Sequence, residues 1–227
     1  ELFEKNFGTA FLAEGTDQTR GWFYTLSVLS TALFDKPAFA NVVVNGHVLA
    51  DDGQKMSKSK NNYVSPVAVL ESFGADALRL YLMGSGLSKN ESLKFNSEAV
   101  KLKLFSVVKP LNNSLDFFRL YAGLDGWTYS NLASAKPVAE RSMLDRWLMA
   151  KTNELVGAVT EAMDQYELYK VVPLLEEFAN NLTNWYVRLS RETFWGPGLP
   201  QNKLNAYASL CFALETFAKV CAPLTPF

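Results

Sequence analysis

Lys55-Met56-Ser57-Lys58-Ser59 is the stretch of this chain best suited to chemistry on phosphate. Two lysines three apart, separated by small side chains, form a cationic strap, and Lys60 adds a third charge. A nucleoside triphosphate that loses pyrophosphate builds negative charge on its bridging and leaving oxygens. Ammonium groups that meet that charge stabilise the transition state. A second cluster runs from Glu14 through Gly15, Thr16, Asp17 and Gln18 to Trp22 and Phe23. It reads as a glycine turn entering a helix, with carboxylate and amide groups at the helix start that could hold an amino group and ribose hydroxyls. Its bland reading is a capped helix with Trp22 in the core. Asn45-Gly46-His47 is a third candidate, because Gly46 permits close backbone approach to an aromatic base. His47 is the one histidine of the chain, and a lone histidine is more often a structural hydrogen bonder than an acid or base.

The surrounding pattern says which elements must carry these groups. Thr9 to Leu12 reads as a short buried strand, and Trp22, Leu26, Leu29 and Leu33 recur at helical spacing after it, with Asp17 as the cap. Phe39 to Val44 is a continuous apolar, β-branched run of the kind a buried parallel strand needs. Strand, helix, strand makes a βαβ unit, and α/β strands hold ligands at their carboxyl ends. Asp51-Asp52-Gly53 reads as the turn of a hairpin that follows His47 to Ala50 and leads into the lysine loop. Ser65-Pro66 signals a helix start and Gly74 its stop, with a second short helix from Asp76 to Met83. A long helix is expected from Ser97 to Tyr121, kinked at Pro110, and a connection from Ala122 to Pro137. Three amphipathic helices follow near 142–164, 168–194 and 202–222. In the second of them Val171, Leu174, Phe178, Leu182, Trp185 and Leu189 form an apolar stripe that puts Trp185 in the core. The expected fold is a partial Rossmann-like α/β nucleotide-binding region over 1–96, followed by an all-α helical bundle over 97–227.

Composition narrows the alternatives. With 227 residues, 48% hydrophobic and 20% charged, the chain has the make-up of a globular protein of one or two domains. The net charge of -1 advertises no global basic field, so any nucleic-acid contact must be local. Residues 140–192 are themselves acid-rich, with nine acidic against six basic side chains. Cys211 and Cys221 lie ten apart in a helical stretch, about 15 Å of rise and too far for a disulfide. One histidine and two cysteines leave no Cys/His zinc cluster, so no metal ligands are assigned, and reduced, cytoplasmic conditions are expected. The start at Glu1, without Met, and the stop after Pro226-Phe227 suggest a piece of a longer protein.

The pentapeptide from Lys55 to Ser59 matches, letter for letter, the signature loop of the class I aminoacyl-tRNA synthetases. The stretch from Glu14 to Trp22 resembles the aminoacyl-adenylate segment of the isoleucine branch of that family. The Gly74-Ala75-Asp76-Ala77-Leu78-Arg79 stretch and the Leu182-to-Arg188 stretch are similar to the family's junction and anticodon-binding helices. By that resemblance Lys55 and Lys58 would be catalytic, and Asn45, Gly46, His47 and Lys58 would contact ATP. Glu14, Gly15, Asp17 and Gln18 would hold the adenylate, with Trp22 walling the side-chain pocket. Arg188 and Arg191 would touch tRNA, with Trp185 a candidate to stack on a base. The implied activity is attachment of isoleucine to its tRNA through an isoleucyl-adenylate, with ATP and substrate-bound Mg²⁺. The family places a histidine where this chain has Asn45, and its His-containing tetrapeptide is not in these residues. The 227 residues alone are therefore expected to be inactive or nearly so. A valine-type synthetase and a non-catalytic tRNA-binding protein stay open as alternatives.

Overall fold

The computed structural model describes residues 2–5, 7–57, 62 and 64–227, with Glu4 by its backbone only. The chain divides into two compact units, the first Glu1–Ala68 with Ser85–Asn96 and the second Val69–Gly84 with Ser97–Phe227. Contacts thus assign 69–84 to the helical unit, whereas the sequence pattern draws a single boundary after 96.

The first unit is α/β. A short helix α1 (Leu2–Lys5) precedes strand β1 (Leu12–Gly15), a 3₁₀ turn (Thr16–Arg20) and helix α2 (Trp22–Phe34). Strands β2 (Val42–Asn45) and β3 (Val48–Leu49) follow, and β4 (Leu93–Lys94) belongs to the same unit. β1 and β2 pair in parallel, with Leu12 opposite Val42 and Gly15 opposite Asn45, and β3 pairs in parallel with β4. Both main strands begin about three residues later than their apolar runs suggest. Thr9 and Phe39 form only an isolated bridge, and the Asn41 amide donates to the Ala10 carbonyl at 3.0 Å, so a side chain there takes a backbone partner. The βαβ order survives the shift.

The apolar stripe of α2 is a second correction. Trp22 (48%), Leu29 (52%) and Leu33 (69%) are exposed, and Phe23 and Ser30 are the buried residues of this helix. Phe23 meets Phe39 with ring centroids 6.3 Å apart, and Ser30 donates to the Lys36 carbonyl at 2.6 Å, so the covered line lies one residue out of step with the expected stripe. Nor is Asp17 the cap. It lies in the 3₁₀ turn, one residue before the side chain that does the capping.

The second unit is all-α. It comprises α3 (Pro66–Phe73, within which the division falls), α4 (Ala75–Met83), α5 (Ser97–Lys103), α6 (Lys109–Asp125), α7 (Met143–Asp164), α8 (Leu168–Asn180), α9 (Arg188–Trp195) and α10 (Gln201–Cys221). Pro66 opens α3, where its missing N–H has no partner to lose. The interruption expected at Pro110 takes the form of a π turn, Leu104–Val108, between α5 and α6. A second π turn, Asn181–Val187, joins α8 to α9. It inserts one residue into the helical count and rotates everything beyond it by about 100°. The buried line therefore runs Leu182, Tyr186, Ser190, Phe194, while Trp185 (56%) and Leu189 (60%) stand exposed. That overturns the core position expected for Trp185.

The core of this unit is continuous and rich in rings. Leu148, Val171, Leu175, Leu182, Leu210, Phe217 and Leu224 are fully buried. Trp127 stacks on Tyr207 with centroids 5.5 Å apart, and Phe194 meets Tyr207 edge-on at 4.9 Å. Two polar networks cross it. Asp145, near the start of α7, accepts from Tyr186 Oη at 2.6 Å and from Ser142 Oγ at 2.6 Å, while Ser142 caps the helix. Lys203, 1% exposed, pairs with Asp125 at the end of α6 and donates to the Gly196 carbonyl at 2.7 Å. Tyr207 also donates to Asp125. Each buried charge is thus partnered, the condition under which it is tolerable. Among the described residues no helix is long and apolar enough to cross a membrane.

Candidate nucleotide and adenylate site

The parallel register of β1 and β2 brings two of the three candidate clusters together. Gly15 lies opposite Asn45 and Glu14 opposite Val44, so the two chains leave the sheet side by side, about 4.8 Å apart, at its carboxyl end. Glu14 and Asp17 are exposed there, and Gly15 and Gln18 are half-buried. Asn45 and Gly46 are half-buried and His47 is exposed.

Gln18 organises the entry to α2. Its Oε1 accepts the Trp22 N–H at 2.8 Å, and a Cβ on Gly21 would stand 2.4 Å from that oxygen. The glycine is therefore what lets the amide side chain fold onto the helix start. With Oε1 used in this way, the Nε2 donors of Gln18 are its remaining polar capacity toward a ligand. Trp22, the first residue of α2, is held by the same cap with its ring half in solvent.

Gly46 has a different explanation from the one its sequence context suggests. A Cβ there would stand 2.1 Å from the Glu91 carbonyl oxygen, and the Gly46 N–H donates to the Leu87 carbonyl at 2.9 Å. The close approach that requires glycine is made by the 87–91 backbone. His47 is fixed through its own backbone, its carbonyl accepting the Leu93 N–H at 2.8 Å.

The lysine loop leaves from the hairpin after β3. Lys55, exposed, bridges Leu49, and the Ala50 N–H donates to the Gln54 carbonyl at 2.9 Å across the Asp51-to-Gly53 turn. Asn62 ties the loop's two ends: its Oδ1 accepts the Ser57 N–H at 2.8 Å and its Nδ2 reaches the Lys55 carbonyl at 3.5 Å. Lys58, Ser59, Lys60, Asn61 and Tyr63 lie outside the described residues. Sequence reasoning gave Asn62 no structural part in the loop and no strand to the 87–94 segment. An Asn near a loop end signals a local turn only weakly, and a strand two residues long has no periodicity to detect.

In the second unit Arg188 and Arg191 are both exposed on α9, and Trp185 is exposed in the π turn that precedes them. Tyr186 and Cys221 of this unit are shifted chiefly by burial. Desolvation, then the charge of Asp145, holds the Tyr186 phenol well above its usual value. Burial pushes the Cys221 thiol from 9.0 up to about 12, and both cysteines are free. Among the described residues no cluster of His, Cys, Asp and Glu could hold a metal ion.

Comparison with known proteins accounts for this arrangement. Residues 1–94 match the family model of tRNA synthetases class I (I, L, M and V), and residues 145–227 match that of the anticodon-binding domain of tRNA ligase. The chain belongs to the class I aminoacyl-tRNA synthetases. Within that class it is similar over its whole length to proteins named isoleucine--tRNA ligase: 46% identical to that of Treponema denticola and 46% to that of Chlamydia muridarum, of each of which it spans 22%. The chain thus covers about a fifth of the length of these curated relatives. Its fold is that of solved synthetases. A Mycobacterium tuberculosis methionyl-tRNA synthetase in complex with methionyl-adenylate matches all of this chain and 44% of its own, with a TM-score of 0.76 and 19% identity. An Agrobacterium radiobacter LeuRS in a ternary complex with tRNA matches 96% of this chain and 25% of its own, with a TM-score of 0.63 and 18% identity.

Proposed function

We propose that the full-length protein activates isoleucine with ATP and transfers it to the tRNA for isoleucine. The observation that carries this reading is the pairing of Gly15 with Asn45, which sets the adenylate segment beside the ATP segment at one sheet end. Identity with isoleucine--tRNA ligases across the whole chain supports isoleucine as the amino acid. In the first step the isoleucine carboxylate attacks the α-phosphate of ATP, which enters with Mg²⁺ as its complex. Lys55 and Lys58 stabilise the departing pyrophosphate. Glu14, Asp17 and the Nε2 donors of Gln18 hold the amino group and ribose, with Gly15 leaving room beside them. Trp22 lines the side-chain pocket, and Asn45, Gly46 and His47 lie along ATP. In the second step a terminal ribose hydroxyl of the tRNA attacks the adenylate carbonyl and AMP leaves. Both steps rest on positioning and charge rather than on a dedicated acid or base.

Arg188 and Arg191 contact tRNA phosphates, and exposed Trp185 offers a stacking surface. The protein works in the cytoplasm, where its cysteines stay reduced. The 227 residues alone lack the His-containing tetrapeptide and do not activate isoleucine at an appreciable rate.

The test is amino-acid-dependent ATP–pyrophosphate exchange by the full-length protein. Isoleucine should drive it, valine weakly, and leucine and methionine not at all. Exchange driven best by valine would reassign the amino acid, and tRNA binding without exchange would replace catalysis with a binding role. Robust exchange by the isolated 227 residues would overturn the claim about them.

A further inference from the structure

The 86–94 segment does more than fill space beside the site. Leu93 and Lys94 pair with Val48 and Leu49, and the Phe95 N–H donates to the Leu49 carbonyl at 2.8 Å. Leu49 is bridged on its other side by Lys55. Residues paired across a sheet point to the same face, so Lys94, Leu49 and Lys55 share one. Two strand spacings of roughly 4.8 Å put the Lys94 and Lys55 backbones about 10 Å apart. The Lys94 side chain runs over the turn that starts the lysine loop. A Cβ added to Gly53 would lie 3.0 Å from Lys94 Cε and 3.4 Å from its Nζ. Gly53 has φ +79°, and its N–H donates to the Ala50 carbonyl at 2.9 Å, two residues before Lys55.

We propose that Lys94 is a positioning residue for the start of the lysine loop: lying across Gly53, it fixes the turn from which Lys55 reaches the triphosphate. The inference rests on the reading of that loop given above. In this role Lys94 acts through the geometry of Lys55, which a shift of about an ångström would impair.

The test is ATP–pyrophosphate exchange by the full-length protein carrying Lys94→Ala, with Lys58→Ala as reference. Lys94→Ala should lower kcat about tenfold while KM for isoleucine and the melting temperature stay at wild-type values. Lys94→Arg, long enough to span the turn, should restore most of the rate. Transfer of preformed isoleucyl-adenylate to tRNA should be unaffected. Lys94→Gln, which keeps part of the stem, serves if the alanine variant fails to fold, and should show a smaller loss of kcat in the same direction, with KM for isoleucine unchanged. Wild-type kcat in the Lys94 variants, or a loss that follows the melting temperature, would overturn the proposal. Wild-type exchange in Lys58→Ala would instead locate the failure in the reading of the lysine loop, and the role of Lys94 would fall with it.

Discussion

The two units solve opposite problems. In the first, Phe23, Val43, Ala50, Leu87 and Phe95 are the buried apolar side chains among the described residues, and Trp22, Tyr24, Leu29 and Leu33 along α2 stand in solvent. In the second, aromatic and branched side chains close a continuous core around two buried ion and hydroxyl networks. The proposed chemistry belongs to the sparsely packed unit. Its candidate groups sit at strand ends and on a loop, held by backbone contacts such as Glu91 against Gly46 and by single side chains such as Gln18 and Asn62. A dense core supplies stability, whereas a ligand site needs polar groups left facing outward with only enough support to orient them. Substitutions in the two units should therefore separate into losses of stability and losses of rate.

The largest expected effect is on stability. Asp125→Ala leaves the Lys203 ammonium buried without its carboxylate, at a cost of about 3–5 kcal/mol. The urea midpoint of the helical unit should fall accordingly, and an unchanged midpoint would mean that the pair is not closed in solution. Next comes Lys58→Ala in the full-length protein. It should slow isoleucine-dependent exchange by roughly 100-fold, about 2.7 kcal/mol, with the urea midpoint unmoved. A fall in both readouts would erase the division of labour.

The alkaline limb is smaller. The folded-state pKa of Cys221 is raised, so the folded state keeps its proton where the unfolded chain loses it. That stability is whole below pH 9 and drains away as pH rises toward about 12. By pH 10 the loss from this thiol is on the order of 1 kcal/mol, and Cys221→Ala should remove that part of the slope in urea titrations against pH. The smallest effect is the sharpest test of the π turn. Trp185→Ala should stay within about 0.5 kcal/mol of wild type, whereas Tyr186→Ala should cost about 3–5 kcal/mol. Equal losses would put the helix back in uninterrupted α register.

Much of this was readable in the residues, for definite reasons. The βαβ order, the Pro66 helix start and the bundle follow from strong local signals: β-branched runs, proline at a helix start and apolar spacing. The lysine loop and the Glu14-to-Trp22 stretch were legible because their residue order is itself the signal. What escaped depended on partners distant in sequence or on small changes in helical count. The fate of Trp185 turned on one inserted residue, which no apolar spacing announces. At Gly46 the need for glycine is set by the Glu91 carbonyl, a partner 45 residues away that nothing nearby in the sequence reveals. The α2 stripe had correct spacing, but which line is covered is decided by the segment after the helix, where Phe39 meets Phe23 and Lys36 meets Ser30.

The most direct test of the central claim is calorimetric titration of the full-length protein with a non-hydrolysable isoleucyl-adenylate analogue, the valyl and leucyl analogues alongside. If the paired strand ends from Glu14 to Trp22 and from Asn45 to His47 form the adenylate site, the isoleucyl analogue binds more tightly than the valyl one. The difference should be about 1–3 kcal/mol, the worth of one methylene in an apolar pocket. Gln18→Ala should weaken all three. Equal affinity for the three analogues, or isoleucyl binding untouched by Gln18→Ala, would contradict the account.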